Sequence, residues 1–435
     1  MPGRFSRSKL PRRQSVAAAE TPSETRTGEQ VRVEITGLAP GGDAVGRQVG
    51  GVADGRVTFV PLAAPGELVR VELVRQRSRV AWADLLEVER ASPARVGPQC
   101  PLFGHCGGCQ WQHVDDRIQR SAKGDIVARA LGITLTEATP VGPSYGYRER
   151  VRLAVDSGGA PGPGAVAGAT SRPTAVGFRA RRSHDIVDVP SCPLLAPALD
   201  RVLPLARQRA QGLPTGREVS LLLGRGDRVA GDVAGQGFAA TADAHGALGT
   251  VAIDLRDPAA WPDVAEPGGR PLFVPPRGFA QVSRAANAAL VAAVGDALSA
   301  RPGRVLELFA GSGNFTRQLV ATGAGVIASD GDPEAVERGR RNVPEADWRP
   351  AASLGTSVLP IDTVLVDPPR EGLDDRSLAL CAAGQRLVYV SCDPQTLCRD
   401  MGQLMRRGMR FDGAVAFDVM PQTDHIEVVA LFTRR

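Results

Sequence analysis

The chain has 435 residues, of which 43% are hydrophobic, and a formal net charge of +5. That length predicts two to four domains with sizeable cores. No apolar run approaches the ~18 residues of a membrane span, so the sequence is expected to be soluble and cytoplasmic, without a signal peptide.

Residues 1–28 carry Arg4, Arg7, Lys9, Arg12, Arg13 and Arg26 against Glu20 and Glu24, which is four of the five net charges. Ser-, Arg- and Pro-containing and without hydrophobic period, residues 1–29 are predicted to be a disordered basic tail. The rest is near neutral, so an argument for nucleic acid must be local. Lys9 and Lys123 are the only lysines; arginine-richness here reads as genomic base composition, not as an RNA signal.

Residues 30–91 read as short strands. Val31-Arg32-Val33-Glu34-Ile35 alternates at period two, and Gly41-Gly42-Asp43 and Ala53-Asp54-Gly55 are turn signals. Val57–Val60 and Leu68–Val74 continue the pattern, predicting an OB-like β-barrel. Arg75, Arg77 and Arg79 alternate and would share one strand face, either touching RNA backbone or guarding a sheet edge.

Residues 92–276 are expected to form a mixed α/β region. It opens with Cys100-Pro-Leu-Phe-Gly-His-Cys106-Gly-Gly-Cys109, and Cys192 lies far downstream before a proline. Three thiols at that spacing converge if the chain turns back tightly, and Gly107 and Gly108 would permit positive φ. Such a set selects an iron–sulfur cluster or zinc. With seven cysteines, a secreted disulfide framework is disfavoured. A helix is predicted from Asp115 to Leu131. Arg148, Arg150 and Arg152 then alternate, and Arg172, Arg179, Arg181 and Arg182 follow, making the best basic surface. Tyr145 and Tyr147 could stack on bases or pack in a core. Residues 155–173 read as a loop.

From 277 to 435 helices alternate with apolar strands. After a helix over 281–300 come Arg304–Phe309, Gly325–Ala328, Val364–Val366 and Leu387–Val390. Such continuous runs mean parallel strands buried on both faces. Runs at 411–420 and 427–433 predict a terminal antiparallel pair. Between the first strand and its helix lies Phe309-Ala310-Gly311-Ser312-Gly313-Asn314, with Thr316 where a dinucleotide fingerprint would have its third glycine. Asp330, at the end of the next strand, can accept from two ribose hydroxyls. A cofactor with ribose and no phosphate fits, and S-adenosylmethionine is one.

Asp367-Pro-Pro-Arg370 follows a buried strand at the carboxyl edge, where open α/β sheets bind ligands. In Ser391-Cys392-Asp393-Pro394, Asp393 is a natural N-cap and Pro394 a natural first helical residue. Cys392 therefore sits at a helix N-terminus, where the dipole is expected to favour the thiolate. Cys381 and Cys398 read as structural. Glu427 stands directly ahead of an apolar strand; desolvation there would suit a general base, whereas a solvated strand-start acid is the plain alternative.

Together these residues resemble the uracil-C5 RNA methyltransferases that carry a TRAM domain and a [4Fe–4S] cluster, the bacterial 23S rRNA type. The likeness runs from about residue 30 to the end and is carried by Cys100 to His113, Asp367-Pro-Pro-Arg, Ser391-Cys392-x-Pro394 and His425-x-Glu427. It implies a class I methyltransferase fold of the Rossmann-like α/β type, preceded by a TRAM barrel and an iron–sulfur domain. It implies cluster ligands Cys100, Cys106, Cys109 and Cys192, cofactor contacts Gln281, Phe309, Asn314, Asp330 and Asp367, the nucleophile Cys392 and the base Glu427. RNA, most of all 23S rRNA, is the implied partner of a monomeric enzyme; tRNA, or an RNA-binding iron–sulfur protein without catalysis, are the rival readings. The chain departs from the family in Phe279-Ala280-Gln281-Val282-Ser283, in Asp330 for the usual Glu, and in a short stretch from Asp330 to Asp367, where Asp347 or Ser353 would have to meet the adenine.

Overall fold

The computed structural model describes residues 28–51, 53–158, 174–242, 248–266, 269–298, 302–355 and 360–435. The N-terminal tail, most of the 155–173 loop and Arg172 lie outside the described residues.

Five strands open the described chain: β1 (Gln30–Leu38), β2 (Ala44–Val49), β3 (Val57–Val60), β4 (Leu68–Gln76) and β5 (Val80–Arg90). They close into a barrel in the order β1-β2-β3-β5-β4, which removes free edges. Alternation does the work: in β4 every second residue is buried, and Val69, Val71 and Leu73 fill the interior. The arginine stripe is not a strand face. β4 ends at Gln76, so Arg77 and Arg79 fall in the turn, and the Arg75 guanidinium lies 3.9 Å from the centre of the Trp82 ring.

The cysteine segment follows, then α1 (Asp116–Leu131), capped by Asp115 and closed by Gly132 in the left-handed region. After β6 (Thr139–Pro140) comes a seven-stranded sheet, β13-β12-β11-β10-β7-β8-β9. Its members are β7 (Arg150–Asp156), β8 (Ala175–Arg179), β9 (Ile186–Asp188), β10 (Glu218–Leu223), β11 (Val229–Val233), β12 (Gln236–Ala242) and β13 (Leu248–Ile253), with α2 (Pro197–Arg209) packed on β10 and β11.

The C-terminal part contains α3 (Arg284–Ala297), β14 (Arg304–Leu308), α4 (Thr316–Ala321), β15 (Gly325–Asp330), α5 (Pro333–Asn342), β16 (Asp347–Pro350), β17 (Thr363–Val366), α6 (Asp375–Ala383), β18 (Arg386–Ser391), α7 (Pro394–Arg406), β19 (Met409–Asp418) and β20 (Glu427–Arg434). Its sheet runs β16-β15-β14-β17-β18-β20-β19-β6. β14 to β18 are parallel, and β20 inserts antiparallel between β18 and β19. Four of the five residues of β14, and all of β17, are buried, as double helical cover requires. Chain order reverses between β14 and β17, so their carboxyl ends open a crevice.

One core joins the barrel to this sheet. Barrel residues such as Val33 and Leu73, then Trp111, Ile126 and Val127, then Tyr389, Val428 and Phe432 form a single buried cluster. No helix among the described residues is long and apolar enough to cross a membrane.

Candidate active site

At the cofactor side the glycine loop is bent by Gly311 (φ 58°) and Gly313 (φ 96°), with Phe309 itself left-handed at φ 59°. A non-glycine residue there marks stored strain of the kind found at functional sites. A Cβ on Gly313 would come within 3.0 Å of Val343 Cγ2 and 3.3 Å of the Trp348 ring, so this glycine is fixed by packing as well as by φ.

Asp330 ends β15 and braces that loop: Gly311 N–H donates to one carboxylate oxygen and Asp332 N–H to the other, each at 2.8 Å. Lone pairs remain for further donors. Asn314 donates to Asn287 Oδ1 at 2.6 Å. Asn287 donates to Glu266 Oε2 at 2.7 Å, and Glu266 pairs with the buried Arg317. Half-buried Gln281 precedes Ser283, the N-cap of α3. Phe309 and Asn314 therefore sit on one loop, Asp330 braces it from the end of β15, and Asp367 directly follows the neighbouring β17.

Sequence reasoning missed the floor of this site. Glu307, inside β14, is 2% exposed, and its carboxyl is pushed up to about 8, first by burial and then by Asp367 and Asp330. Thr316 Oγ1 donates to it at 2.6 Å. The missing third glycine thus carries a hydroxyl with a partner. An acid inside an apolar strand was the available signal. Glu266, Asn287 and Arg317 gave none, because they come from segments far apart in sequence.

The reaction side is set by strand register. Ser391 pairs with Val428, and Val366 with Tyr389. One step beyond those rungs, Cys392 stands opposite Glu427, with Asp367 at the end of the next strand. Glu427 is 9% exposed; its carboxyl is raised to about 8 by burial and by Asp367. Asp367 is raised to about 7 by burial. The solvated strand-start alternative for Glu427 is therefore overturned.

The expectation for Cys392 needs correction. Its thiol is pushed up to about 11, by burial first and then by the charge of Glu427. The helix N-terminus does not offset this, since the Asp393 carboxylate already accepts from Gln395 N–H (2.9 Å) and Thr396 N–H (3.0 Å). Arg370 is the opposing charge, favouring ionisation of both Cys392 and Glu427. It donates to His425 Nδ1 at 2.8 Å. Arginine can only donate, so this nitrogen accepts and the imidazole is neutral; burial lowers its pKa to about 4.

The four cysteines, all free thiols, line one cavity with Leu102, Phe103, Gln112, Arg148, Phe178 and Leu194. Gln112 donates to Cys109 Sγ at 3.2 Å, and Gly108 N–H to Cys106 Sγ at 3.4 Å. Gly107 and Gly108 do not take positive φ; Gly104 does, at 90°. Gly107 is needed for close approach, because a Cβ would sit 2.8 Å from Arg179 O. Among the described residues no group of three or more Cys, His, Asp or Glu is placed so that it could hold a metal ion.

Of the basic surface, Arg181 and Arg182 pair with Asp43 of the barrel. Arg150 and Arg152 share a face of β7, and the neighbouring charges of Arg152 and Arg148, after burial, bring Arg150 down to about 10. Tyr147 is core: it is 5% exposed and donates to Pro421 O at 3.0 Å, which leaves Tyr145, half-buried, as the aromatic open to a base. Cys381 and Cys398 lie in α6 and α7, the first fully buried.

Comparison with known proteins matches residues 354–435 to the tRNA (uracil-5-)-methyltransferase family and residues 24–86 to the TRAM domain. A 23S rRNA (uracil(1939)-C(5))-methyltransferase of Thiobacillus denitrificans is 34% identical, over 92% of this chain and 99% of that one. The protein of the same description from Pectobacterium carotovorum is 31% identical, over 93% and 94%. In structure, the Pyrococcus abyssi tRNA (uracil-54, C5)-methyltransferase, solved with S-adenosyl-L-homocysteine, superimposes with a TM-score of 0.64 at 23% identity, over 92% of this chain and all of that one.

Proposed function

The chain belongs to the family of S-adenosylmethionine-dependent RNA uracil-C5 methyltransferases, and we propose that it methylates a uridine of 23S ribosomal RNA through a covalent bond to Cys392. The observation that carries the reading is the Cys392–Glu427 pair, a thiol just past the end of β18 and a buried carboxylate at the start of the adjacent β20, near enough for the charge of one to act on the other. The relatives named for 23S rRNA are 34% and 31% identical over nearly the whole chain, against 23% for the structurally similar tRNA enzyme, and this favours ribosomal RNA over tRNA.

C5 of uracil is a weak nucleophile until a thiolate adds at C6. The Cys392 proton must leave first, and the nearby carboxylate of Asp367, raised to about 7 and so partly ionised at neutral pH, suits its removal, while Arg370 favours the thiolate and Glu427 is left free for the later step. Addition of Cys392 at C6 moves the ring electrons onto C5 and O4. Bound S-adenosylmethionine supplies the electrophilic methyl group that C5 captures. Glu427 then takes the C5 proton, the C5–C6 double bond re-forms and the Cys392 thiolate departs. Gln281, Phe309, Asn314, Asp330 and Asp367 would hold the cofactor, Asp330 by accepting from the ribose hydroxyls. A helical target base must leave its stack to reach this crevice.

Cys100, Cys106, Cys109 and Cys192 hold a [4Fe–4S] cluster in this reading. Four thiols around one cavity supply an all-sulfur ligand set. The enzyme acts as a monomer in the cytoplasm, where its RNA is made.

Mass spectrometry of ribosomal and transfer RNA from a deletion strain tests the assignment. The reading expects one 5-methyluridine to vanish from 23S rRNA and tRNA to be unchanged. Loss from tRNA alone would reassign the substrate.

A further inference from the structure

The loop Val419–Ile426 leads directly into Glu427, yet its partners come from the cysteine segment and α1. Gln422 lies at its centre. It is 1% exposed and left-handed, at φ 70°, a conformation that persists only where the surroundings hold it. Every polar group it has is engaged. Its N–H donates to Gln119 Oε1 at 2.8 Å, and its Oε1 accepts from Gln119 Nε2 at 3.0 Å. Its Nε2 donates to Asp116 Oδ1 at 2.8 Å. Its carbonyl accepts from Gln110 N–H (3.1 Å) and Trp111 N–H (3.0 Å).

Those last donors immediately follow Cys109. Gln110 donates from its side chain to Gly107 O at 3.0 Å, and Gln112 spans Cys100 N–H and Cys109 Sγ. Gln119 ties the same turn from below, donating to Trp111 O at 3.1 Å and Val114 O at 2.8 Å. Flanking contacts point the same way. The buried Lys123 bonds Asp418 at 2.5 Å and Met420 O at 3.1 Å, and Tyr147 bonds Pro421 O at 3.0 Å. Three residues beyond Gln422, His425 meets Arg370; two further on stands Glu427.

We propose that Gln422 is a positioning residue, the link through which filling of the four-cysteine cavity sets the loop carrying His425 and Glu427. The chain of contacts is continuous: Cys109 to Gln110 and Trp111, to Gln422, to the loop, to the base. A filled cavity fixes the backbone at Cys109 and with it two of the donors that hold Gln422 in its left-handed state. An empty one leaves that turn free to shift and the loop to open. The proposal rests on the reading of the four cysteines as a metal centre.

The test compares the full chain reconstituted anaerobically with iron and sulfide against the same chain stripped by oxidation and chelation. Hydrogen exchange is read over residues 423–427 and iron content is measured alongside. The loaded protein is expected to exchange more slowly there, on the order of tenfold, as the loss of one or two net hydrogen bonds implies. Gln422→Ala should abolish that difference while binding the same iron, and Gln119→Ala should do so from the other side. In turnover, Gln422→Ala should lower kcat about tenfold, leave the KM for S-adenosylmethionine unchanged, and raise the fraction of RNA covalently held. A merely weakened fold would lose iron and cofactor affinity as well. Equal exchange in loaded and stripped wild-type protein, with iron present in the first, would overturn the coupling and leave the cluster reading standing. Absence of bound iron would overturn both.

Discussion

Cys392 and Glu427 face each other one rung beyond the Ser391–Val428 pair, across the junction of β18 and β20. The carboxylate makes the thiol harder to ionise, while Arg370 acts on both in the opposite sense. Near pH 7 the thiol is therefore neutral and the carboxyl mostly so, and Arg370 favours the ionised fraction of each that the proposed reaction would use.

Stability should report the buried base. The Glu427 carboxyl has its folded pKa raised to about 8 from an ordinary value near 4.5. A raised acid favours folding below the ordinary value, and that contribution is lost as pH rises through about 8. Glu427→Gln has no proton to lose. Its thermal stability should match or trail wild type at pH 5 and exceed it at pH 8.5, on the order of a few kcal/mol. A pH-independent difference in melting would show that the carboxylate is not buried as described.

Asp330 should matter to the cofactor. Asp330→Ala removes the brace on Gly311 and, in the proposed reading, the acceptor for the ribose hydroxyls. Binding of S-adenosylmethionine should weaken by roughly 1.5–3 kcal/mol. Calorimetry giving unchanged affinity would reduce Asp330 to a loop brace.

The buried Arg317–Glu266 pair should matter to fold and cofactor together. Glu266→Gln leaves the Arg317 charge, 1% exposed, without its counterion. Removing one partner of a buried pair costs about 3–5 kcal/mol. Because Asn287 and Asn314 hang on the same network, cofactor affinity should fall too. A denaturation curve superimposable on wild type would remove the network from the account.

Iron content tests the cysteine centre. Anaerobically purified protein should absorb broadly near roughly 400 nm, as thiolate-held clusters do, and Cys192→Ser should bleach it. Colourless protein with stoichiometric zinc, or an unchanged spectrum in the variant, would contradict the ligand set.

Most of the architecture is legible in the chain because it is written in short-range pattern. Period-two alternation at Val31–Ile35 gave a barrel strand, and unbroken apolar runs gave the parallel sheet. Asp393-Pro394 gave the start of α7. What depends on long-range contact was not legible. Arg181 and Arg182 look like RNA contacts until Asp43 is found beside them. Tyr147 looks like a stacking residue until its hydroxyl is seen on Pro421. The Cys392 dipole argument considered one helix and missed two carboxylates brought by other strands. Gln422 carries no pattern at all; its role comes from partners some 300 positions away in sequence.

The covalent mechanism is tested most directly by incubating Glu427→Gln with S-adenosylmethionine and an RNA bearing the target uridine, followed by denaturing electrophoresis. Cys392 can still add and the methyl can still move, but the C5 proton has no acceptor. The account predicts a methylated RNA–protein complex that survives denaturation, and its absence in Cys392→Ala. Normal turnover by Glu427→Gln with no trapped complex would contradict it.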